Sequence, residues 1–403
     1  MRALLASEAA RDPDYRRFWT MAAVDAFGMG GEQVTIGLLA LQIGGSSAWV
    51  GGAMALFFAP MAVIGVPAGA LADRMERRHL LRRVALLECI VLAVTAVLVG
   101  HAAVASVALL MAVVLSGSCR AVHSAVRASY AFDLVGTGRV VAGIGLLNLG
   151  VRAGQLVGAL AAGLAYRHGG PETAYATLAI AHLLAWWLGR RLRSAGRAAV
   201  APERGSWGET LRDYAREMRE NRVLLALVGI TAAVEILGFS FSTALPEIAT
   251  LRLGIGADGL GLMHATRYAG GLTAALVLAL NGDRARRGPL FLAVVCCFGC
   301  AVVLLGWAPG LPSTLVALAL VAMLAAASDV LTQSMMQLCV ADRLRGRAMG
   351  AWVLAVGTAP LGHLWLGALI ASIGIPAALG LNGAALLAVG VLALLLAPRL
   401  RRL

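Results

Sequence analysis

GALADRMERRHLL, residues 69 to 81, is the stretch that decides how the chain is read. An apolar run stops at Asp73-Arg74, passes through Glu76, Arg77 and Arg78, and turns apolar again at Leu80, which is the pattern of a short basic loop between two membrane spans. A shortened copy, NGDRARRGPL (281 to 290), returns about half a chain later, with Asp283 and Arg284 lying 210 positions after Asp73 and Arg74. AVDAFG (23 to 28) recurs as AVEILG (233 to 238), and Asp133 with Arg139 recurs as Asp342 with Arg347, all at offsets of 208 to 210 in 403 residues. Several coincidences at one offset indicate a duplicated half.

Composition agrees with spans. Hydrophobic residues make up 60% and charged residues only 14%, with a mean hydropathy of +0.82, whereas an ordinary soluble domain is about a quarter charged. The net charge of +13 does not imply nucleic acid, because the 34 basic residues, all arginine, are spread over alternate loops and not gathered on one face. The six cysteines (89, 119, 296, 297, 300 and 339) all fall in apolar runs, so no outer loop offers a disulfide partner. Cys297 and Cys300 form a C-x-x-C that is read as helix packing, since a metal or redox site there would need thiolates in hydrocarbon. The N-terminal segment lacks the apolar core and cleavage site of a secretory signal and reads as a cytosolic tail.

A span needs about 20 apolar residues. Twelve candidates are predicted, at 18–42, 49–72, 80–100, 103–130, 140–166, 172–192, 222–248, 257–280, 288–307, 312–340, 347–373 and 376–397. Of the 34 arginines, 28 fall in the two tails and in the loops on one side, and only Arg167 and Arg252 fall in loops on the other. Both termini and the central loop are therefore expected to be cytoplasmic. The fold class follows: an all-α membrane protein of twelve transmembrane helices in two pseudo-symmetric six-helix bundles, 1–192 and 222–403. Between them, 193–221 places Trp207, Leu211, Tyr214 and Met218 at helical spacing, as in an amphipathic helix lying on the inner membrane surface. Trp186-Trp187 before Arg190-Arg191 marks the inner interface at the end of the sixth span.

The loop at 69–81 resembles the signature loop of the major facilitator superfamily, with Gly69, Leu71, Ala72, Asp73, Arg74, Arg77 and Arg78 in place and Glu76 where that family usually has Gly. The resemblance implies a secondary transporter whose first, fourth, seventh and tenth helices surround the central cavity. It also implies that Asp73 holds the cytoplasmic side closed against the positive end of a neighbouring helix and an Arg at the end of the fourth span. Arg127 or Arg139 is expected in that part, with Asp133, Asp283 and Arg284 in the same gate. Residues 125–145 and 341–371 look like the ends of the fourth and tenth spans in the drug, macrolide and siderophore exporter branch, with Arg345-Gly346-Arg347 and Ala359-Pro360-Leu361-Gly362 in its pattern. Antiporters of that family usually follow the middle glycine of the fifth span with Pro; here Gly150, Gly154 and Gly158 are present but Gln155 takes the proline's place.

Charges inside spans cost about 2.5 to 3.5 kcal/mol each near mid-helix, so they line water or pair. Asp25 and Glu32 lie two turns apart on one face of the first span, and Glu235 is the repeat equivalent of Asp25 in the seventh. Arg120 and Asp329 are equivalent positions of opposite charge, either substrate-path residues or a structural ion pair. These five are the expected cavity set, and Asp25, Glu32 or Glu235 is the expected proton carrier. Arg152, Gln155, His264, Arg267 and His363 form a second set of intramembrane polar residues, read as packed partners or ligands of a polar pocket. GIGADG (254–259) fits a dinucleotide-loop pattern but follows no strand, and no catalytic motif occurs.

The reading is a transporter and not an enzyme, exporting an amphipathic small molecule in exchange for protons across the inner membrane. It needs no cofactor beyond the proton gradient, no nucleic acid and no partner chain. The alternatives are an importer or lipid-type carrier of the same fold, or a non-transporting receptor or assembly subunit.

Overall fold

The computed structural model describes residues 12–135, 140–196, 216, 221–281, 286–340 and 345–402, and the side chains of 66–74, 102, 128, 140–142, 279–281, 345–347 and 402 lie outside that description. Gly69, Asp73 and Arg74 therefore enter only as helix backbone, Arg139, Asp283 and Arg284 lie outside the described residues, and so do 197–215 and 217–220 of the segment 193–221 predicted to hold a surface helix.

The chain is all helix, with no strand among the described residues. In hydrocarbon every peptide group has to bond within its own segment, and an apolar chain meets that demand by forming helices. The first span is Pro13–Gly44, the second Ser47–Arg74, the third Arg77–Leu98 and the fourth Ala102–Val135. The fifth and sixth are the two limbs of Val140–Gly189, and the seventh runs over Arg222–Arg252. The eighth is Gly256–Asn281, the ninth Arg287–Trp307, the tenth Leu311–Leu338, the eleventh Arg345–Val356 with Ala359–Ile373, and the twelfth Ile375–Leu396. The first, third and eighth are the least apolar, carrying Asp25 and Glu32, Arg82, Arg83 and Glu88, and His264 with Arg267.

Helix ends have local causes. Asp12 caps the first span, accepting hydrogen bonds from the backbone N–H of Asp14 (2.7 Å) and Tyr15 (3.2 Å), with Pro13 at the first helical position. Asn221 caps the seventh in the same way through Val223 and Leu224. The limbs of 140–189 part at Gly169 and Gly170, where φ of +71° at Gly170 requires glycine, and Pro171 restarts the helix. Glu76 joins the second and third spans at φ −59° and ψ 116°, an ordinary extended conformation. The turn thus needs no positive φ, and glutamate replaces the family's glycine without backbone strain.

Two compact units divide the chain. The first holds Met1–Gly45, Leu56–Pro202 and Ala249–Tyr268, and the second holds Ser46–Ala55, Glu203–Ile248 and Ala269–Leu403. Within the first unit, the first span packs most extensively on the fifth and sixth. The three glycines at spacing four make this possible: a Cβ added at Gly150 would meet the Trp19 indole, at Gly154 the Ala23 carbonyl, and at Gly158 the Phe27 carbonyl. Close approach on that side leaves the Asp25 and Glu32 face to be covered by the third, fourth and sixth spans. Arg190 and Arg191 stack on Trp186 (5.4 Å) and Trp187 (3.8 Å). Cys297 and Cys300 are exposed on the ninth span and unbonded.

The second unit pairs the ninth span with the twelfth and the tenth. Its seventh span is irregular: α from Arg222 to Ala233, π over Val234–Gly238, 3-10 over Phe239–Ala244, a single turn at Leu245–Glu247 and π again over Ile248–Arg252. Pro246 accounts for the break at its own turn, because it has no N–H for the Ser242 carbonyl, which takes the Leu245 N–H instead. Replacing Gly158 with Val is expected to force the first and fifth spans apart and lower thermal stability in detergent by about 1–3 kcal/mol. Gly52→Ala, where an added Cβ meets nothing within 4 Å, is expected to leave it unchanged.

Candidate functional site

Seven residues is two helical turns, so Asp25 and Glu32 project from one face of the first span, and both are buried, at 2% and 1% exposure. The Asp25 carboxylate is held from two sides. His182 Nδ1 of the sixth span lies 3.1 Å from Oδ1 in hydrogen-bonding geometry, and His123 Nε2 of the fourth lies 3.3 Å from Oδ2, within ion-pair range but not aligned as a hydrogen bond. Arg127, also in the fourth span, adds positive charge near Asp25. A carboxylate accepts only, so the Asp25 contact places the proton of a neutral His182 ring on Nδ1 and leaves Nε2 as a lone pair.

Glu32 faces Glu88 of the third span and the same His182. One ligand atom from each of the three lies within 4.8 Å of the others, a set able to hold a metal ion. Around them is a cavity of about 10 Å³, also lined by Asp25, Arg120 and Cys119, with space for about one water-sized particle. Arg120 interacts with Glu32 and lies 5.5 Å over each of the Phe57 and Phe58 rings.

Glu235 belongs to the second unit. It is buried at 8% exposure inside the π turn of the seventh span, and Asp329 of the tenth lies close enough for the two charges to interact. Gly362 of the eleventh span packs against the Glu235 and Ile236 carbonyls. Asn382 of the twelfth donates to the Leu237 carbonyl (3.3 Å) and accepts from Trp365 (3.0 Å), which ties the eleventh and twelfth spans to the irregular seventh.

The second polar set is divided between the two units. Arg267 donates to Gln33 Oε1 at 2.6 Å and lies 3.5 Å from His264 Nδ1, with Arg152 near enough to interact with it electrostatically. Gln155 meets the first span through its backbone, against Gly30. His363 stands in the other unit, buried and bonded through Nδ1 to Thr243 Oγ1 at 2.8 Å.

Among the loop residues, Arg77 Nη1 pairs with Asp133 Oδ1 at 2.6 Å, and the Arg77 backbone donates to Gly196 at 3.1 Å. Arg78 donates to the Arg193 carbonyl (2.9 Å) and pairs with Glu76 (3.2 Å), while Asp14 accepts from the Arg193 and Ser194 amides. The start of the third span, the end of the fourth and the chain after the sixth are thereby tied together. Arg127 lies apart from this network, at the Asp25 cluster.

Sequence reasoning passed over Glu88, His123, His182, Gln33 and Asn382. Glu88, His123 and His182 were visible as isolated titratable residues inside predicted spans, the same signal that picked out Asp25. Their convergence was not visible, because it depends on which faces of four helices meet.

The sequence matches the family description Major Facilitator Superfamily over residues 18–245 and again over 227–403. No curated protein matches it by sequence. Among solved structures, a mutant of the peptide transporter POT in complex with sulfate is similar at 14% identity and a TM-score of 0.79, covering 96% of this chain and 95% of that one. The nucleoside transporter NupG, as a mutant, is similar at 11% identity and 0.75, covering 94% and 97%. A bacterial homolog of the human lysosomal transporter Spinster, inward-facing and unoccupied, is similar at 14% and 0.68, covering 97% of each chain. A family match over both halves, twelve spans and a repeated Asp-Arg loop agree: this chain is a multi-pass integral membrane protein of the major facilitator superfamily, with that superfamily's transporter fold.

Proposed function

We propose that the protein is a proton-coupled exporter of amphipathic small molecules in the cytoplasmic membrane, with both termini inside, and that Glu235 carries the coupling proton. The observation that carries this reading is the buried Glu235 carboxyl within a non-α turn, with the acidic Asp329 as its neighbour. Asp25 already has the His182 hydrogen bond and the Arg127 guanidinium, and the Glu32–Glu88 pair has Arg120 and His182 beside it, positive charge or donors of a kind that Asp329 does not offer Glu235. Two carboxyls close together in a dry interior do not both stay ionised. One takes up a proton, and it releases that proton when water or a cationic substrate reaches the site. A π turn beside a 3-10 turn can change its hydrogen-bond register at low cost, which suits a residue that alternates between two environments.

Orientation is supported by the arginine distribution, and direction by the exporter-like stretches at 125–145 and 341–371. The amphipathic class follows from that same branch, and 6% aromatic residues with a few cavity charges are compatible with it. The Arg77–Asp133 pair supports a gate at the cytoplasmic loop, with Asp73 as its expected partner on the second span.

Everted membrane vesicles, acidified inside by respiration and offered ethidium, Hoechst 33342 and rhodamine 6G, test this reading. At least one dye is expected to accumulate, to be released by a protonophore, and to fall at least tenfold with Glu235→Gln while dye exchange without a gradient persists. Accumulation that survives the protonophore, uptake only in the opposite direction, or full activity in Glu235→Gln would overturn it. Asp133→Asn removes the charge that pairs with the nearly buried Arg77 at 2.6 Å, so a loss of roughly 3 kcal/mol in detergent is expected. Adding Arg77→Gln is expected to cost little more, and thermal melts of the two single variants and the double variant measure that coupling.

A further inference from the structure

We propose that Glu32, Glu88 and His182 form a binding site for one divalent transition-metal cation of the Mn²⁺ to Zn²⁺ type. The inference is separate from the transport reading, because the proton carrier assigned there, Glu235, takes no part in it.

The first support is a surplus of acceptors. Glu32 Oε1, both Glu88 carboxylate oxygens and His182 Nε2 are buried without a donor in hydrogen-bonding geometry, in residues 1%, 5% and 1% exposed. Ser116, Cys119 and Glu32 are close to Glu88, but none gives it a hydrogen in that geometry when both glutamates are ionised. Buried polar atoms are seldom left unsatisfied. A shared proton serves one pair of oxygens, whereas a cation serves the two carboxylates and the imidazole together.

Spacing is the second support. The ligand atoms of the three residues lie within 4.8 Å of one another, and ligands at about 2.0–2.2 Å from a common ion stand roughly 3–4 Å apart. Rotation about the glutamate side-chain bonds closes that difference. The adjoining cavity of about 10 Å³ leaves room for a further water-sized ligand.

The third is the orientation of His182. Its Nδ1–H is bonded to Asp25 at 3.1 Å, which leaves Nε2, packed beside Gly28 of the first span, as the ring nitrogen with a lone pair for a metal. A carboxylate holding one imidazole nitrogen while the other binds metal is the usual outer arrangement of histidine-ligated sites. Arg120 and Arg127 offset two of the three nearby carboxylates, so charge alone would hold a cation weakly. The nitrogen ligand then sets selectivity, favouring Zn²⁺ and Co²⁺ over Mg²⁺ and Ca²⁺.

The test uses the full chain, purified in detergent, freed of any tag and stripped with a chelator. Zn²⁺ binding is read by equilibrium dialysis with elemental analysis, and Co²⁺ binding by its visible absorption. One Zn²⁺ per chain is expected, undiminished by a hundredfold excess of Mg²⁺, with a Co²⁺ spectrum of nitrogen and oxygen ligation. Glu88→Gln and His182→Gln are each expected to weaken Zn²⁺ binding at least tenfold, Asp25→Asn about tenfold through the lost orientation of His182, and Glu235→Gln not at all. Absence of stoichiometric Zn²⁺ in monodisperse wild-type protein, or undiminished binding in both ligand variants, overturns the proposal. If the variants do not fold, the wild-type Co²⁺ spectrum decides, and a spectrum without nitrogen ligation counts against the site.

Discussion

The Asp25 carboxylate stays inside an apolar bundle because imidazoles from the fourth and sixth spans and a guanidinium from the fourth come to meet it. An uncompensated charge in that position would be expelled to water or neutralised, since desolvation costs more than packing returns. The interaction therefore sets the rotation of three helices about their own axes. It depends in turn on the glycine face of the fifth span. With Gly154 and Gly158 against the Ala23 and Phe27 carbonyls, the first span has one side in close backbone contact, and its acidic side is left to the third, fourth and sixth spans. Small residues on one face and charges on the other do complementary work.

The duplicated halves use the same positions differently. AVDAFG lies in regular α-helix, whereas the matching AVEILG falls mainly in a π turn upstream of Pro246. Asp25 has imidazoles and guanidinium around it, while Glu235 has an acid neighbour. In the second half the backbone itself is altered, and Asn382 and Gly362 lie against carbonyls of that turn. The same repeat position thus holds a carboxylate with donors and positive charge around it in one half and a buried carboxyl beside another acid in the other.

Much of the architecture was legible from residue order. The span positions agree with the helices to within several residues, because runs of apolar residues between arginine-rich loops leave a chain in lipid few alternatives. The glycine repeat at 150, 154 and 158 announced close packing, and it packs closely. Two details of backbone were not legible: the turn at Glu76, which needs no glycine, and the irregularity of the seventh span, where the effect of Pro246 depends on what receives the freed carbonyls.

What residue order alone determined is the helix count, the duplication and the presence of costly acids in the first and seventh spans. These follow from one-dimensional rules of hydrophobic length and charge cost that hold whatever the helices touch. The tertiary structure decided which polar groups meet: Asp25 with His123 and His182, Glu32 with Glu88, Arg267 with Gln33, and His363 with Thr243, apart from the others it was grouped with. Those pairings depend on helix rotation and crossing, quantities set by side-chain packing between segments more than a hundred residues apart in most cases, and no local pattern encodes them.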